Sequence, residues 1–194
     1  ECLPADGYEA TASIGGSFYS KNIEDYYLTP WDLGYGPFVK FDHDFIGREA
    51  LEEKAKGPHR RKVTLALNSE DVLKVIGSQL ERGERGKFIE FPSAVYSMHP
   101  YDAVVAHGRQ IGISTWIGYS SNERRMLTLA ILDEEYAQPG YEVTLIWGEP
   151  EGGTRKPTVE RHKQFEIRAI VSPVPYAETA RKEYAPGWRT AQNV

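Results

Sequence analysis

The stretch Phe38–Leu51, FVKFDHDFIGREAL, decides how the rest of the chain is read. Val39 and Phe41 alternate around Lys40, and turn formers follow at Asp42–Asp44. That period-two pattern predicts a short, half-buried strand. Asp44 stands where a helix can begin, with Gly47 just inside and Ile46, Ala50 and Leu51 along one face. A carboxylate there accepts the orphan amide hydrogens of a helix start and meets the positive end of its dipole. Gly57-Pro58 stops the helix. The stretch therefore reads as strand, polar turn and short helix, with a new β pattern directly after it.

Upstream, Tyr8–Tyr19 carries Gly15-Gly16 between two apolar patches, which predicts short strands with a bend. Thr29 as N-cap and Pro30 at the first helical position predict a helix of about one turn, cut short by Gly34, Gly36 and Pro37. Downstream, Lys62–Leu67 alternates as a strand, and Asp71–Leu80 repeats Val72, Val75, Ile76 and Leu80 at helical spacing. Arg82–Lys87 is a charged, glycine-containing loop, and Phe88–Tyr96 suggests two short strands around Pro92. Tyr101–Ala106 and Gln110–Tyr119 flank His107-Gly108 as a hairpin. Arg125–Leu132, Tyr141–Trp147 and Arg161–Val171 are further strands, separated by the Pro139-Gly140 turn and the Glu149–Thr158 loop. The class is α+β, mainly β, with a closed or sandwich-like sheet over about 60–172.

The formal net charge of −5 and pI of about 5.6 leave no basic footprint for nucleic acid. No apolar run approaches the roughly 20 residues that span a bilayer. A single cysteine, Cys2, excludes an internal disulfide framework and fits a reducing, cytoplasmic setting. The sequence starts at Glu1 without Met and shows no signal peptide, so it is expected to be the C-terminal part of a longer protein.

The five histidines, His43, His59, His99, His107 and His162, pair with no His or Cys at ligand spacing, so no metal site is expected. His43 between Asp42 and Asp44 reads as a solvated turn residue rather than a ligand. There is no G-x-S-x-G, and neither Gly15-Gly16 nor Gly152-Gly153 has the setting of a phosphate loop. The aromatic run Phe18, Tyr19, Tyr26, Tyr27 and Trp31, set among Lys21, Glu24 and Asp25, suits a planar heterocycle or a phenol; the alternative is an aromatic seam in the core. Arg60-Arg61-Lys62 can hold a carboxylate or form a solvated strand edge.

Taken in order, these segments resemble the glycine cleavage T-protein family of folate-dependent aminomethyl and methyl transferases. The matching motifs are Tyr19-Ser20-Lys21-Asn22-Ile23, Thr29–Gly34, Val39-Lys40-Phe41, Asp44–Leu51 and Arg60–Leu65. They continue with Gly108–Gly112, Gly118-Tyr119-Ser120, Leu127–Ala130, Pro139–Val143 and Val174-Pro175-Tyr176. The continuous run from Ser13 to Leu51 is most similar to the tetrahydrofolate-dependent aromatic O-demethylases of the vanillate and 3-O-methylgallate type. Two positions depart from the common T-protein: Ala10-Thr11 lie where a folate-reading Arg is usual, and Pro37 lies near the place of a Trp.

The resemblance implies that residues 1–58 end a folate-binding α+β region and that 59–194 form a C-terminal antiparallel β-barrel. The family's catalytic groups would lie N-terminal to Glu1, leaving no catalytic residue here and a chain inactive by itself. Tyr19 is implied as folate-proximal, with Tyr26 and Trp31 as pocket wall and Arg181 or Arg189 meeting a folate carboxylate. The implied cofactor is tetrahydrofolate. The implied partners are a small methyl donor, the N-terminal domains and, on an exposed docking face, a second copy. Aminomethyl transfer and a non-catalytic binding barrel are the alternatives.

Overall fold

The computed structural model describes residues 14–89, 99–152 and 160–184. Its centre is a closed six-stranded barrel. The strands are β2 (Arg61–Leu67), β4 (Asp102–Ala106), β5 (Arg109–Ser120), β6 (Arg125–Leu132), β7 (Glu142–Trp147) and β8 (Phe165–Ser172). They run β2-β6-β5-β4-β7-β8, every neighbouring pair is antiparallel, and β8 returns to β2. Closure leaves no edge strand in the barrel to be protected.

Alternation fills the interior. Val63, Leu65, Leu67, Val104, Ile111, Leu132, Leu145 and Ile167 come from six strands into one buried cluster. The β4–β5 turn places both His107 (φ 49°) and Gly108 (φ 73°) in the left-handed region. That is the geometry of a two-residue hairpin whose twist matches its strands. β5 carries a bulge, the register shifting between Ser114 and Trp116. The expected hairpin and the strands over 62–67 and 125–132 are all present.

Helix α2 (Ser69–Ser78) caps one side of the barrel. The Asn68 side chain accepts the Asp71 amide, Glu70 and Asp71 occupy the first turn, and Val72 and Val75 face the core. Asp71 also receives Nε of Arg168 at 2.7 Å and the Arg168 amide at 3.1 Å. The Arg168 hydrogen bonds hold its carboxyl well below the usual carboxylate range.

Ahead of the barrel, the chain is mostly irregular. β1 (Ile14–Gly15) pairs in parallel with β3 (His99–Pro100) over two residues. Helix α1 (Arg48–Lys54) is the only α-helix between 14 and 60, beside single 3-10 turns at Ile23–Tyr26 and Gly36–Phe38.

Three sequence readings need correction. Val39–Phe41 forms no strand: no neighbouring strand pairs with it, and Phe38 is 77% exposed. Asp44 does not cap α1, because Gly47, at φ 90°, takes the N-cap position without a side-chain bond. Asp44 instead accepts Nη1 of Arg48 at 3.0 Å, and Ile46 projects fully into solvent. The last strand begins at Phe165 rather than Arg161, because the His162 side chain is engaged in a buried hydrogen-bonded cluster and Lys163 bridges to Gly86. The first half of Tyr8–Tyr19, all of Phe88–Tyr96 beyond residue 89, and Arg189 lie outside the described residues.

Candidate functional site

The Thr29–Gly34 turn separates two concavities. It closes on itself: the Asp32 carboxylate accepts the Thr29 amide at 2.8 Å, and the Thr29 hydroxyl accepts the Asp32 amide at 3.2 Å. This reciprocal cap is what the Thr-Pro-x-Asp spacing predicts, although it closes a single turn rather than a helix. Asp32 is the buried anchor, 3% exposed, and Arg60 reaches it at 3.2 Å while also donating to the Tyr27 carbonyl at 2.9 Å. Arg60 thus has a structural task, tying the turn to the start of β2.

On one side lies a cleft of about 750 Å³ between this turn, the end of α1 and the barrel rim at Gln110–Gly112. Phe18, Tyr27, His59 and Asp133 contribute to its walls. Burial raises the Asp133 carboxyl above its ordinary value, and the nearby Arg60 charge offsets only part of that. On the other side, Trp31, Gly34, Arg61, Lys62, Val174 and Pro175 line a shallower pocket of about 400 Å³.

Trp31 is fixed in that pocket by stacking on His59, with ring centres 4.7 Å apart and planes 6° apart. A side chain at Gly36 would meet the indole Cδ1 at 2.6 Å, so glycine is required there. Arg61 makes an exposed ion pair with Glu134 at 2.7 Å, and the Lys62 ammonium lies 5.6 Å from the Tyr35 ring centre. Two cations beside a fixed indole can receive an anionic group attached to a planar one.

The residues named from sequence fall into two groups. Trp31 lines the shallow pocket, and the Arg181 guanidinium, outside that lining, donates to the carbonyls of Pro175, which lines it, and Tyr176. Those bonds engage one guanidinium nitrogen with its own tail segment. Tyr19 and Tyr26 belong instead with Phe18, at the edge of the larger cleft. Tyr26 packs edge-on against Phe18 at 5.0 Å, and its hydroxyl accepts the Ser20 amide at 3.0 Å. The Tyr19 side chain is 69% exposed.

The segment carrying Tyr19 is bolted to the barrel by groups that the sequence did not single out. The Gly16 amide donates to Oε1 of Glu149 at 2.9 Å, and the Ser17 amide to Oδ1 of Asp102 at 3.1 Å. The Ser17 hydroxyl donates to the Ile146 carbonyl at 2.6 Å and accepts the Ala103 amide at 2.8 Å, so it stitches β4 to β7. Lys87, 2% exposed, donates to Oε1 of Glu149 at 2.9 Å and lies 5.1 Å from the Trp147 ring centre. Behind Glu149 stands His162. Its Nε2 accepts the Glu149 amide, and its Nδ1 faces the Glu160 carbonyl at 2.8 Å. Burial raises the Glu149 carboxyl, but the charge and hydrogen bond of Lys87 and the Gly16 amide outweigh it and hold the group below its ordinary value. The readable sign of this cluster was weak: Lys87 sits in a run of charges, Glu81–Lys87, that looks solvated throughout.

Among the described residues, no group of three His, Cys, Asp or Glu could hold a metal ion, and no helix is long and apolar enough to cross a membrane. Fold and site together define an antiparallel β-barrel domain with an aromatic segment laid across it and a basic pocket beside a tryptophan.

No family model matches the chain. It is 61% identical over 185 residues to the syringate O-demethylase of Sphingobium sp. SYK-6, covering 95% of this chain and 40% of that protein. It is 36% identical over 170 residues to the sesamin methylene transferase of Sinomonas sp., covering 80% and 34% respectively. An aminomethyltransferase of Caldanaerobacter subterraneus is 31% identical over 121 residues, covering 61% and 26%. A glycine cleavage aminomethyltransferase T structure from Bartonella henselae overlaps with a TM-score of 0.44 at 18% identity, over 77% of this chain and 32% of that one. The chain belongs to the glycine cleavage T-protein family and corresponds to its C-terminal portion, close to the O-demethylases. It spans about 40% of the length of the syringate enzyme.

Proposed function

We propose that this chain is the closing portion of a cytoplasmic, tetrahydrofolate-dependent methyltransferase that takes a methyl group from an aromatic methyl ether. The observation that carries the reading is the 61% identity to a syringate O-demethylase across nearly the whole chain. In this reading residues 1–58 complete a folate-binding region, residues 59–194 are the barrel, and the groups that do the chemistry lie in the portion that the chain does not include.

An aryl methyl ether is a poor electrophile because its leaving group is a phenoxide. The reaction needs a donor near the ether oxygen and an in-line approach to the methyl carbon. Tetrahydrofolate supplies the nitrogen that accepts the methyl group. The task of this chain is to hold and orient. Arg61 and Lys62 suit the carboxylate tail of a folate, Trp31 supplies a flat wall, and Tyr19 with Tyr26 borders the larger cleft. Arg181 and Arg189, after Val174-Pro175-Tyr176 in the sequence, are further candidates for a folate carboxylate.

The test is methyl transfer by the full-length protein from syringate or vanillate to tetrahydrofolate, followed as 5-methyltetrahydrofolate and the free phenol. Absence of transfer from every methoxybenzoate overturns the demethylase reading. The 31% match to an aminomethyltransferase favours a second reading, transfer of a one-carbon unit from an aminomethyl donor. Formation of methylenetetrahydrofolate from such a donor by the same protein selects it. Arg61→Ala with Lys62→Ala should weaken tetrahydrofolate binding about tenfold if those cations meet its carboxylates. Unchanged affinity would remove the shallow pocket from the site and leave a non-catalytic barrel as the simpler account.

A further inference from the structure

Two features stand outside the chemistry described so far: the apolar groove around Trp116 and Tyr176, and the buried charges at Lys87, Asp102, Glu149 and His162. The buried charges carry an inference. Four ionisable groups within the protein interior are expensive to keep, and well-packed apolar residues would give more stability. What they have in common is their target. Two carboxylates from the barrel, Glu149 after β7 and Asp102 at the head of β4, each accept one backbone amide of a short foreign segment, those of Gly16 and Ser17.

Beside these two carboxylate bonds, the Ser17 hydroxyl bonds to the Ile146 carbonyl and the Ala103 amide, and the rest of the hold is slight. β1 is two residues long, and Tyr101 adds one bond on either side, from its amide to the Gly15 carbonyl and from the Phe18 amide to its own carbonyl. Among residues 14–20 none is buried. The fit is nonetheless close: at Gly16 (φ 101°) a Cβ would lie 2.1 Å from the Tyr101 carbonyl oxygen. Polar bonds of fixed direction, rather than burial, set where Phe18 and Tyr19 stand.

We infer that Asp102 and Glu149 are positioning residues, which hold the Gly16–Tyr19 segment at the rim of the ligand cleft by way of its backbone amides. This rests on the folate-binding reading given above. Neither carboxylate touches a ligand; each acts through the amide that it receives. The charges that face Asp102 are Lys87 and Glu149, with His162 behind Glu149. Glu149 keeps its charge through Lys87. Asp102 is less compensated: burial pushes its carboxyl up to about 6, and Lys87 and the Ser17 amide offset only part of that. A group whose folded value is raised contributes stability in the acid range and loses it as pH rises through that value. Above pH 6 the ionised Asp102 therefore costs stability while accepting the Ser17 amide in its stronger, charged form.

The test compares the full-length protein with its Asp102→Ala and Asp102→Asn variants. Hydrogen exchange is read over residues 14–20, and tetrahydrofolate affinity is titrated between pH 5 and 8. Asp102→Ala removes the acceptor. It should speed exchange of the Ser17 amide and weaken tetrahydrofolate about tenfold, since small displacements of a positioned group are costly. Asp102→Asn keeps an acceptor and removes the charge. It should fold at least as well as wild type at pH 7.5, bind tetrahydrofolate more tightly than Asp102→Ala, and match wild type most closely below pH 6, where the wild-type carboxyl is itself a neutral acceptor. Exchange and affinity unaltered in Asp102→Ala would overturn the inference, and so would faster exchange with unaltered affinity. Should Asp102→Ala fail to fold, Asp102→Leu, similar in shape but unable to accept a hydrogen bond, takes its place, and unaltered exchange and affinity in that variant overturn the inference. A wild-type protein that binds no tetrahydrofolate at any pH would instead overturn the folate reading, and the two failures are thereby distinct.

Discussion

The barrel and the segment before it are built on opposite terms. In the barrel, Leu65, Leu67, Val104, Ile113, Leu132, Leu145 and Ile167 have no exposed surface at all. Between residues 14 and 60 the only buried side chain is a carboxylate, Asp32, while Ile14, Tyr19, Ile23, Tyr27, Tyr35, Phe38 and Ile46 all stand largely in solvent. Burial is strong but non-directional, and it makes a frame. Hydrogen bonds contribute little net stability but fix geometry. The difference explains why candidate ligand residues sit on the weakly held segment: the frame supplies rigidity, and polar bonds from it aim the segment.

The comparison is most easily broken where the two terms meet. Lys87→Met leaves Glu149 buried without its cation, and loss of one partner of a buried pair costs about 3–5 kcal/mol. Urea denaturation should show a loss of that order, and the double change Lys87→Met with Glu149→Gln should recover most of it. A single variant as stable as wild type would mean that Glu149 is not charged in the folded protein.

Core truncation comes next. Leu65→Ala or Leu145→Ala, each at a fully enclosed position, should cost about 3 kcal/mol from lost transfer energy and an unfilled cavity. The same truncation at Leu51, in α1, should cost much less, because no residue of that helix is buried. Equal losses at Leu51 and Leu65 would abolish the distinction between frame and segment.

Asp71 tests the polar ties within the frame itself. Its carboxyl is held well below the usual range by Arg168, so the stability that it contributes is present above the ordinary carboxylate pKa and is lost as pH falls below it. Asp71→Asn should therefore flatten the acid limb of the stability curve, with a smaller loss at pH 7 than core truncation gives, since Arg168 is half exposed. A mutant whose acid limb matches wild type would assign that limb to other carboxylates.

Legibility followed the same division. Alternation at 62–67, the apolar run at 125–132, and the His107-Gly108 turn write the barrel directly into sequence, because a buried strand face admits few residue types. Where the chain is held by single polar contacts, pattern fails. Val39 and Phe41 alternate as a strand would but find no partner, and Asp44 has the right residue type for a cap yet yields to Gly47, directly before the helix. Trp31, Arg61 and Lys62 were nameable because each stands in a short run of its own kind, aromatic or cationic, although nothing in the sequence joined the two runs into one pocket. Lys87, Asp102 and Glu149 were not, since they come together over separations of up to 62 residues and each is unremarkable among its own neighbours.

The smallest expected effect probes the exposed apolar residues before the barrel. Ile46 is as exposed as an isolated residue, and no residue of the helix that follows it, α1, is buried. Replacement by Ser removes no contact, creates no cavity and strains no backbone, so it should change the stability of this chain by less than about 0.5 kcal/mol. Measuring it at two protein concentrations sharpens the point. Any partner that covers Ile46 in a folded assembly adds stability that grows with concentration by mass action. A loss absent in dilute solution and present in concentrated solution would reveal a second copy seated on α1. A loss independent of concentration would mean that α1 packs within the chain, against the account of a segment aimed by polar bonds alone.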